Sequence, residues 1–195
     1  MSCGYCYSPP KVRNDMTQET ADKCMDFISD NYPINTGIIF FGGEPLLKKD
    51  LIKNTISYSK TKQGYYHYKV TTNGILLDKE FLEYAKDVNL SVSISIDGNE
   101  KAHNSYRLFP DGSTTWDILQ DKIDLLLKYQ PYTKVLMTVN PENLIHYSDS
   151  VEYLFNRGFK YIIASLNYAG NWNDKLIKEL KKQYENIAKI YEKYI

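Results

Sequence analysis

The chain has 195 residues, 24 basic and 24 acidic, so its formal net charge is zero. That balance argues against a nucleic-acid binder working through bulk positive charge, and no apolar run approaches the 18 residues of a helical membrane span. A hydrophobic share of 43% and a charged share of 25% fit a folded globular chain with one core domain and no need of disulfide staples. Three cysteines, an odd count, fit poorly with a closed disulfide framework. The first ten residues, MSCGYCYSPP, contain no apolar signal-peptide core, so a reducing cytoplasm is the expected compartment.

In chain order, a helix is expected near Thr17–Asp30. Apolar, β-rich runs follow at Gly37–Phe41, Tyr68–Thr72, Leu90–Ile96, Lys134–Val139 and Tyr161–Leu166. Between them lie stretches with helical spacing, marked by Leu51, Ile52 and Ile56, by Phe81, Leu82 and Ala85, by Ile118, Leu119, Ile123, Leu126 and Leu127, and by Val151, Leu154 and Phe155. A long helix near Asp174–Tyr194 closes the chain. Repeated βα units imply parallel strands joined by right-handed crossovers, in a doubly wound sheet or a (β/α) barrel. The longest non-periodic stretch, Asp97–Thr114, directly follows a strand, which is where such folds carry their chemistry.

Four blocks stand at or near strand ends. Cys3 and Cys6, in Cys-Gly-Tyr-Cys, can hold a metal, hold a cluster or act as a redox dithiol. Cys24, beside Met25, Phe27 and Ile28, reads as a thiol of the core. Phe40–Leu47 ends a strand in Gly42 and Gly43, then Glu44 and Pro45. Bare backbone beside a carboxylate is rich in acceptors and suits a cationic amine, although a plain βα turn reads equally well. Asn73-Gly74 is a turn signal whose amide can also read a ligand's polar edge. Ser93, Ser95 and Asp97 share one strand face, and buried polar groups there need partners. His103, Asn104, Tyr106 and Arg107 follow. Arg107 is either a carboxylate clamp or a solvated charge. His67 and His146 show no metal-ligand spacing and read as structural.

Taken in order, CGYCY at 3–7, FFGGEPLL at 40–47, TTNG at 71–74 and SISIDG with HNSYR at 93–107 resemble the radical S-adenosylmethionine (SAM) superfamily. The likeness is strongest to its peptide- and protein-modifying branch, the anaerobic sulfatase-maturating enzymes and ribosomal-peptide maturases. The resemblance implies a partial (β/α)6, TIM-like barrel of parallel strands, a [4Fe–4S] cluster and SAM. It implies cluster ligation by Cys3 and Cys6, and Tyr5 beside the adenine. It implies Gly42, Gly43 and Glu44 at the SAM amino group, Ser95 and Arg107 at its carboxylate, and Asn73 toward the ribose and substrate. A peptide or protein substrate and an external one-electron donor are implied with them. The cofactor's chemistry is one-electron cleavage of the sulfonium to a 5′-deoxyadenosyl radical, which abstracts hydrogen from substrate.

The family pattern is C-x-x-x-C-x-x-C, and its first cysteine would lie four residues before Cys3, outside this sequence. On that reading residues 1–195 are an incomplete radical SAM core whose first strand is missing, with no cysteine-rich auxiliary-cluster domain. The competing readings are an inactive fragment, an activase of a glycyl-radical enzyme, and a zinc or thiol-redox module built on Cys3 and Cys6.

Overall fold

The computed structural model describes residues 1–6, 14–32 and 34–194. Its strands are β1 (Ser2–Cys3), β2 (Thr36–Phe40), β3 (Tyr66–Thr72), β4 (Leu90–Ser95), β5 (Arg107–Leu108), β6 (Lys134–Val139) and β7 (Tyr161–Leu166). Its helices are α1 (Gln18–Asn31), α2 (Lys49–Ser59), α3 (Lys79–Asp87), α4 (Glu100–Asn104), α5 (Trp116–Tyr129), α6 (Tyr147–Asn156) and α7 (Asp174–Tyr191). The fold is α/β. Five strands follow the hydrogen-bonded order β2-β3-β4-β6-β7, and β1 and β5 form a separate two-stranded sheet.

The chain divides into two compact units. One holds the described residues between Cys6 and Asn73, with Leu76–Ser93. Here β2 and β3 run parallel, Ile38 opposite Tyr68 and Phe40 opposite Val70. Polar side chains start two of its helices: the Asp78 carboxylate accepts the Phe81 N–H at 2.8 Å to begin α3, and Thr17 Oγ1 accepts the Thr20 N–H to begin α1. Each such cap contributes about 1 kcal/mol. Ile52, Ile56, Val70, Leu77, Phe81 and Leu82 are buried, as their spacing requires.

The other unit comprises Met1–Cys6, Asn73–Ile75 and Ile94–Ile195. In it β6 and β7 run parallel, Val135 opposite Ile162 and Val139 opposite Leu166. The neighbouring positions Ile94, Ile96 and Asp97 are all fully buried, so both faces are covered at the end of β4, as in parallel sheets. Leu119, Ile123, Leu126 and Leu154 supply the helical side of this core. Complete burial of one such side chain is worth about 1.5–3 kcal/mol.

Three expectations need correction. Cys24 is exposed. The buried residues of α1 are Ala21 and Met25, one stripe at i, i+4, and Cys24 sits one residue off it, rotated by about 100°. The stretch after β4 is not featureless: Asn99 Oδ1 accepts the Ala102 N–H at 3.1 Å and starts α4, and β5 follows. A five-residue helix is too short to show periodicity. The first apolar run ends at Phe40, one residue earlier than its hydropathy suggests, and Phe41 is exposed before the glycine turn.

Candidate active site

The cysteine motif is held on β5. Ser2 pairs with Leu108 and Cys3 with Arg107 in an antiparallel register. The ladder continues as the Gly4 N–H donates to the Tyr106 carbonyl at 3.1 Å. A side chain at Gly4 would put its Cβ 3.0 Å from the Tyr106 ring, so glycine permits this approach. The chain then turns, and the Cys6 N–H donates to the Cys3 carbonyl at 3.0 Å. The two thiols therefore sit one turn apart, Cys3 half-buried and Cys6 exposed. Burial pushes the Cys3 thiol up; the Arg107 charge opposes this, and Asp97 and Cys6 reinforce it.

Behind the loop lies a buried charged knot. Asp97 is fully buried and Arg107 nearly so. Arg107 Nη2 donates to Asp97 Oδ1 at 3.0 Å. Nε lies 2.9 Å from Oδ2 but is not aligned as a hydrogen bond, so the pairing is directional at Nη2 and Coulombic at Nε. The Tyr5 hydroxyl donates to Oδ2 at 2.5 Å, and the Thr138 N–H to Oδ1 at 2.9 Å. The Ile96 N–H donates to the Leu136 carbonyl at 3.0 Å, so one residue later a carboxylate takes over from the backbone ladder. The Arg107 guanidinium also lies over the Tyr5 ring, 5.4 Å from its centre. Burial alone would lower the Arg107 pKa, but Asp97 raises it, so the guanidinium stays charged. Burial raises the Tyr5 phenol well above its usual range; Arg107 opposes this and Asp97 adds to it.

A second layer supports the knot. Thr115 Oγ1 donates to the Arg107 carbonyl at 2.7 Å, so it accepts from His103 Nε2 at 3.0 Å. The ring is thereby fixed as the Nε2–H tautomer, and its buried Nδ1 has no partner among the described residues. Burial, then the Arg107 charge, hold His103 down at about 4. The Tyr106 hydroxyl donates to Glu142, and burial together with that bond raises the phenol to about 12.

In the other unit, β2 ends and the chain turns through Gly42 and Gly43, both exposed. Glu44 caps the 3-10 turn Pro45–Lys48: its Oε1 accepts the Leu46 N–H at 3.0 Å and the Thr72 hydroxyl at 2.6 Å. A Cβ built on Gly42 or Gly43 meets no heavy atom within 4 Å, so the backbone there borders open space. In the unit of the cysteine loop, Asn73 Oδ1 accepts the Ile75 N–H at 3.0 Å, the geometry of a turn. Ser95 is half-buried there, whereas Ser93, in the unit of β2, is fully buried with no partner for its hydroxyl among the described residues.

The Radical SAM superfamily model matches residues 1–154. The chain belongs to the radical SAM superfamily. An uncharacterized protein of Methanocaldococcus jannaschii is 31% identical over 169 residues, 85% of this chain and 58% of that protein. A cysteine-type anaerobic sulfatase-maturating enzyme of Clostridium novyi is 26% identical over 132 residues, 66% of this chain and 35% of that one. Among solved structures, native anSMEcpe with bound AdoMet (SAM) and the Kp18Cys peptide has a TM-score of 0.86 at 19% identity, covering 95% of this chain and 56% of that one. SuiB of Streptococcus suis bound to S-adenosylmethionine has a TM-score of 0.65 at 15% identity, covering 99% and 45%. These likenesses bear out the fold, a partial TIM-like radical SAM barrel with parallel strands. The chain spans 58% of the first of these relatives and 35% of the second.

The family uses a [4Fe–4S] cluster and SAM. Two soft thiols on one tight turn fit two ligands of such a cluster, and the open backbone at Gly42 and Gly43 beside the Glu44 carboxylate fits an amine-bearing ligand. Among the described residues no group of three or more His, Cys, Asp or Glu is placed to hold a metal ion. Of the residues singled out in sequence, the structure brings Cys3, Tyr5 and Arg107 together and places Glu44 beside Gly42 and Gly43. The reading missed Asp97 as the partner of both Tyr5 and Arg107, and it missed Thr72 and Thr115. Asp97 carried a signal, a charged residue ending an otherwise apolar strand. Thr72 stood in the TTNG block with no role assigned to it, and Thr115 carried no signal.

Proposed function

We propose that the chain is the core of a radical SAM enzyme that reductively cleaves SAM at a [4Fe–4S] cluster to modify a peptide or protein. In this proposal residues 1–195 form one radical SAM core domain. Cys3 and Cys6 are cluster ligands, and Tyr5 borders the adenine. The Glu44 carboxylate and the Gly42–Gly43 carbonyls accept from the SAM amino group. Ser95 and Arg107 donate to its carboxylate, and Asn73 reads the ribose or substrate side. When bound, the cluster supplies one electron to the sulfonium. The chain's own residues bind, orient and exclude water. An external one-electron donor and a reducing cytoplasm belong to the same proposal; no helix among the described residues is long and apolar enough to cross a membrane.

The observation that carries the reading is the family match over residues 1–154, which includes the cysteine loop, the glycine-acid turn and the Asp97–Arg107 block. The peptide assignment draws on neighbours whose structures hold SAM with a peptide, such as anSMEcpe with Kp18Cys. The test is anaerobic reconstitution with iron and sulfide of the protein bearing a cysteine four residues before Cys3. Iron and 5′-deoxyadenosine are then counted after addition of a reductant and SAM. Both are expected, and both are lost in Cys3→Ala or Cys6→Ala. Cluster assembly that survives both substitutions overturns the ligand assignment.

A further inference from the structure

We infer that Asp97 is a positioning residue that locks the cysteine loop in place, by receiving the Tyr5 hydroxyl and the Arg107 guanidinium on one buried carboxylate. The inference rests on the reading of Cys3 and Cys6 as cluster ligands and extends it to the side chain that holds them.

The geometry is specific. Among the described residues, the loop's backbone ties to β5 are the Ser2–Leu108 and Cys3–Arg107 pairings and the Gly4 N–H to the Tyr106 carbonyl. A two-stranded pairing is marginally stable by itself and opens locally. Between the two cysteines, however, Tyr5 turns inward and donates at 2.5 Å to a carboxylate with no solvent exposure. That distance is the charge-assisted range for O–H···O⁻. The same carboxylate is fixed from two other directions, by Arg107 Nη2 at 3.0 Å and by the Thr138 N–H on β6 at 2.9 Å. Arg107 in turn is the backbone partner of Cys3. Asp97 thus links the ligand loop to the end of β4, to β5 and to β6. A metal site is only as precise as the shell that orients its ligands.

The experiment uses the metal-free chain. Tyr5→Phe removes one hydroxyl and no charge, so it leaves the electrostatics of the Cys3 thiol nearly untouched. Asp97→Asn serves as the companion variant. Two quantities are read: hydrogen exchange at the Gly4 amide, and the alkylation rate of Cys3, with the exposed Cys24 as internal reference. Loss of one charge-assisted bond should speed both by about tenfold in Tyr5→Phe while Cys24 keeps its rate. As a spectroscopic check, the downfield hydroxyl proton resonance of Tyr5 should vanish in Tyr5→Phe and move upfield in Asp97→Asn. Unchanged exchange and alkylation in Tyr5→Phe overturn the inference. An equal acceleration of hydrogen exchange at the amide of the fully buried Leu126 also overturns it, because Tyr5 would then act through overall stability. If the loop loosens as stated but the protein bearing a cysteine four residues before Cys3 never assembles a cluster, the ligand assignment fails and the clamp stands. If the cluster assembles and the loop does not loosen, the clamp alone fails.

Discussion

The Thr72 hydroxyl donates to Glu44 Oε1 at 2.6 Å, tying the end of β3 to the glycine-acid turn after β2. The same oxygen accepts the Leu46 N–H, so the carboxylate is oriented by two donors from one side. Thr72 is fully buried, and removing its hydroxyl while keeping its shape isolates the bond. Thr72→Val should cost about 1–2 kcal/mol, the range for a hydrogen bond to a charged but part-exposed acceptor. Thr72→Ser should recover most of that loss. Urea unfolding midpoints of the three proteins check it, and equal midpoints for wild type and Thr72→Val would show that the bond contributes nothing.

The Asp97–Arg107 pair makes a different kind of prediction. Leaving a buried charge without its partner is costlier than never burying the pair. Asp97→Ala should therefore destabilise by about 3–5 kcal/mol, because the guanidinium has almost no access to water. The double variant Asp97→Ala with Arg107→Met should be more stable than Asp97→Ala alone. A double variant that is the less stable of the two would mean that Arg107 stabilises the fold through contacts other than Asp97, such as the Tyr5 ring beneath it.

His103 sets a pH window. Its folded value is about 4, against about 6.5 in an unfolded chain. The unfolded state binds the proton more readily, so stability is full above pH 6.5 and falls as pH drops toward 4. The slope is about 1.4 kcal/mol per pH unit, on the order of 3 kcal/mol across the window. The cause is burial first, then the Arg107 charge. His103→Gln keeps a donor for Thr115 and cannot titrate, so its stability should be flatter from pH 6.5 to 4. Denaturation series at matched ionic strength decide it, and parallel curves for the two proteins would refute the assignment.

Much of this was legible in the sequence because periodicity reports burial. Phe81, Leu82 and Ala85, or Leu119, Ile123 and Leu126, announce their faces and are buried as spaced. The strand-end blocks announced the cysteine loop and the glycine-acid turn for the same reason, since unusual residues interrupt apolar runs. The pairings were not legible. Nothing local says that Tyr5 reaches a carboxylate 92 residues away, or that Thr115 returns to the Arg107 carbonyl. Such bonds depend on how the chain closes in space. Short elements also escape, because five residues of α4 are fixed by the Asn99 cap rather than by any repeat.

Gly98 carries a steric prediction. It follows Asp97 with φ +111, and a Cβ there would stand 2.0 Å from Ser150 Cβ and 2.3 Å from its Oγ. Both the backbone conformation and the space exclude a side chain. Gly98→Ala should cost about 2–5 kcal/mol, combining backbone strain with overpacking. Pairing it with Ser150→Gly should restore only the steric part. A thermal midpoint for Gly98→Ala within a degree of wild type would show that the turn relaxes freely.

Cys24 closes the set because hydropathy and structure disagree about it. Its neighbours Met25 and Ile28 suggest a core thiol, but Met25 takes the buried stripe with Ala21, and Cys24 faces water. An exposed helix position tolerates a polar replacement, so Cys24→Ser should shift stability by less than about 0.5 kcal/mol. It should also leave bound iron unchanged in the reconstituted protein, whereas Cys3→Ser and Cys6→Ser each lower it. In the metal-free chain Cys24 should react with a maleimide faster than the half-buried Cys3, whose thiol is raised by burial. Thiol counting with site-resolved mass spectrometry measures this order. A Cys24 that reacts more slowly than Cys3, or whose loss removes iron, would return it to the core or to the cluster.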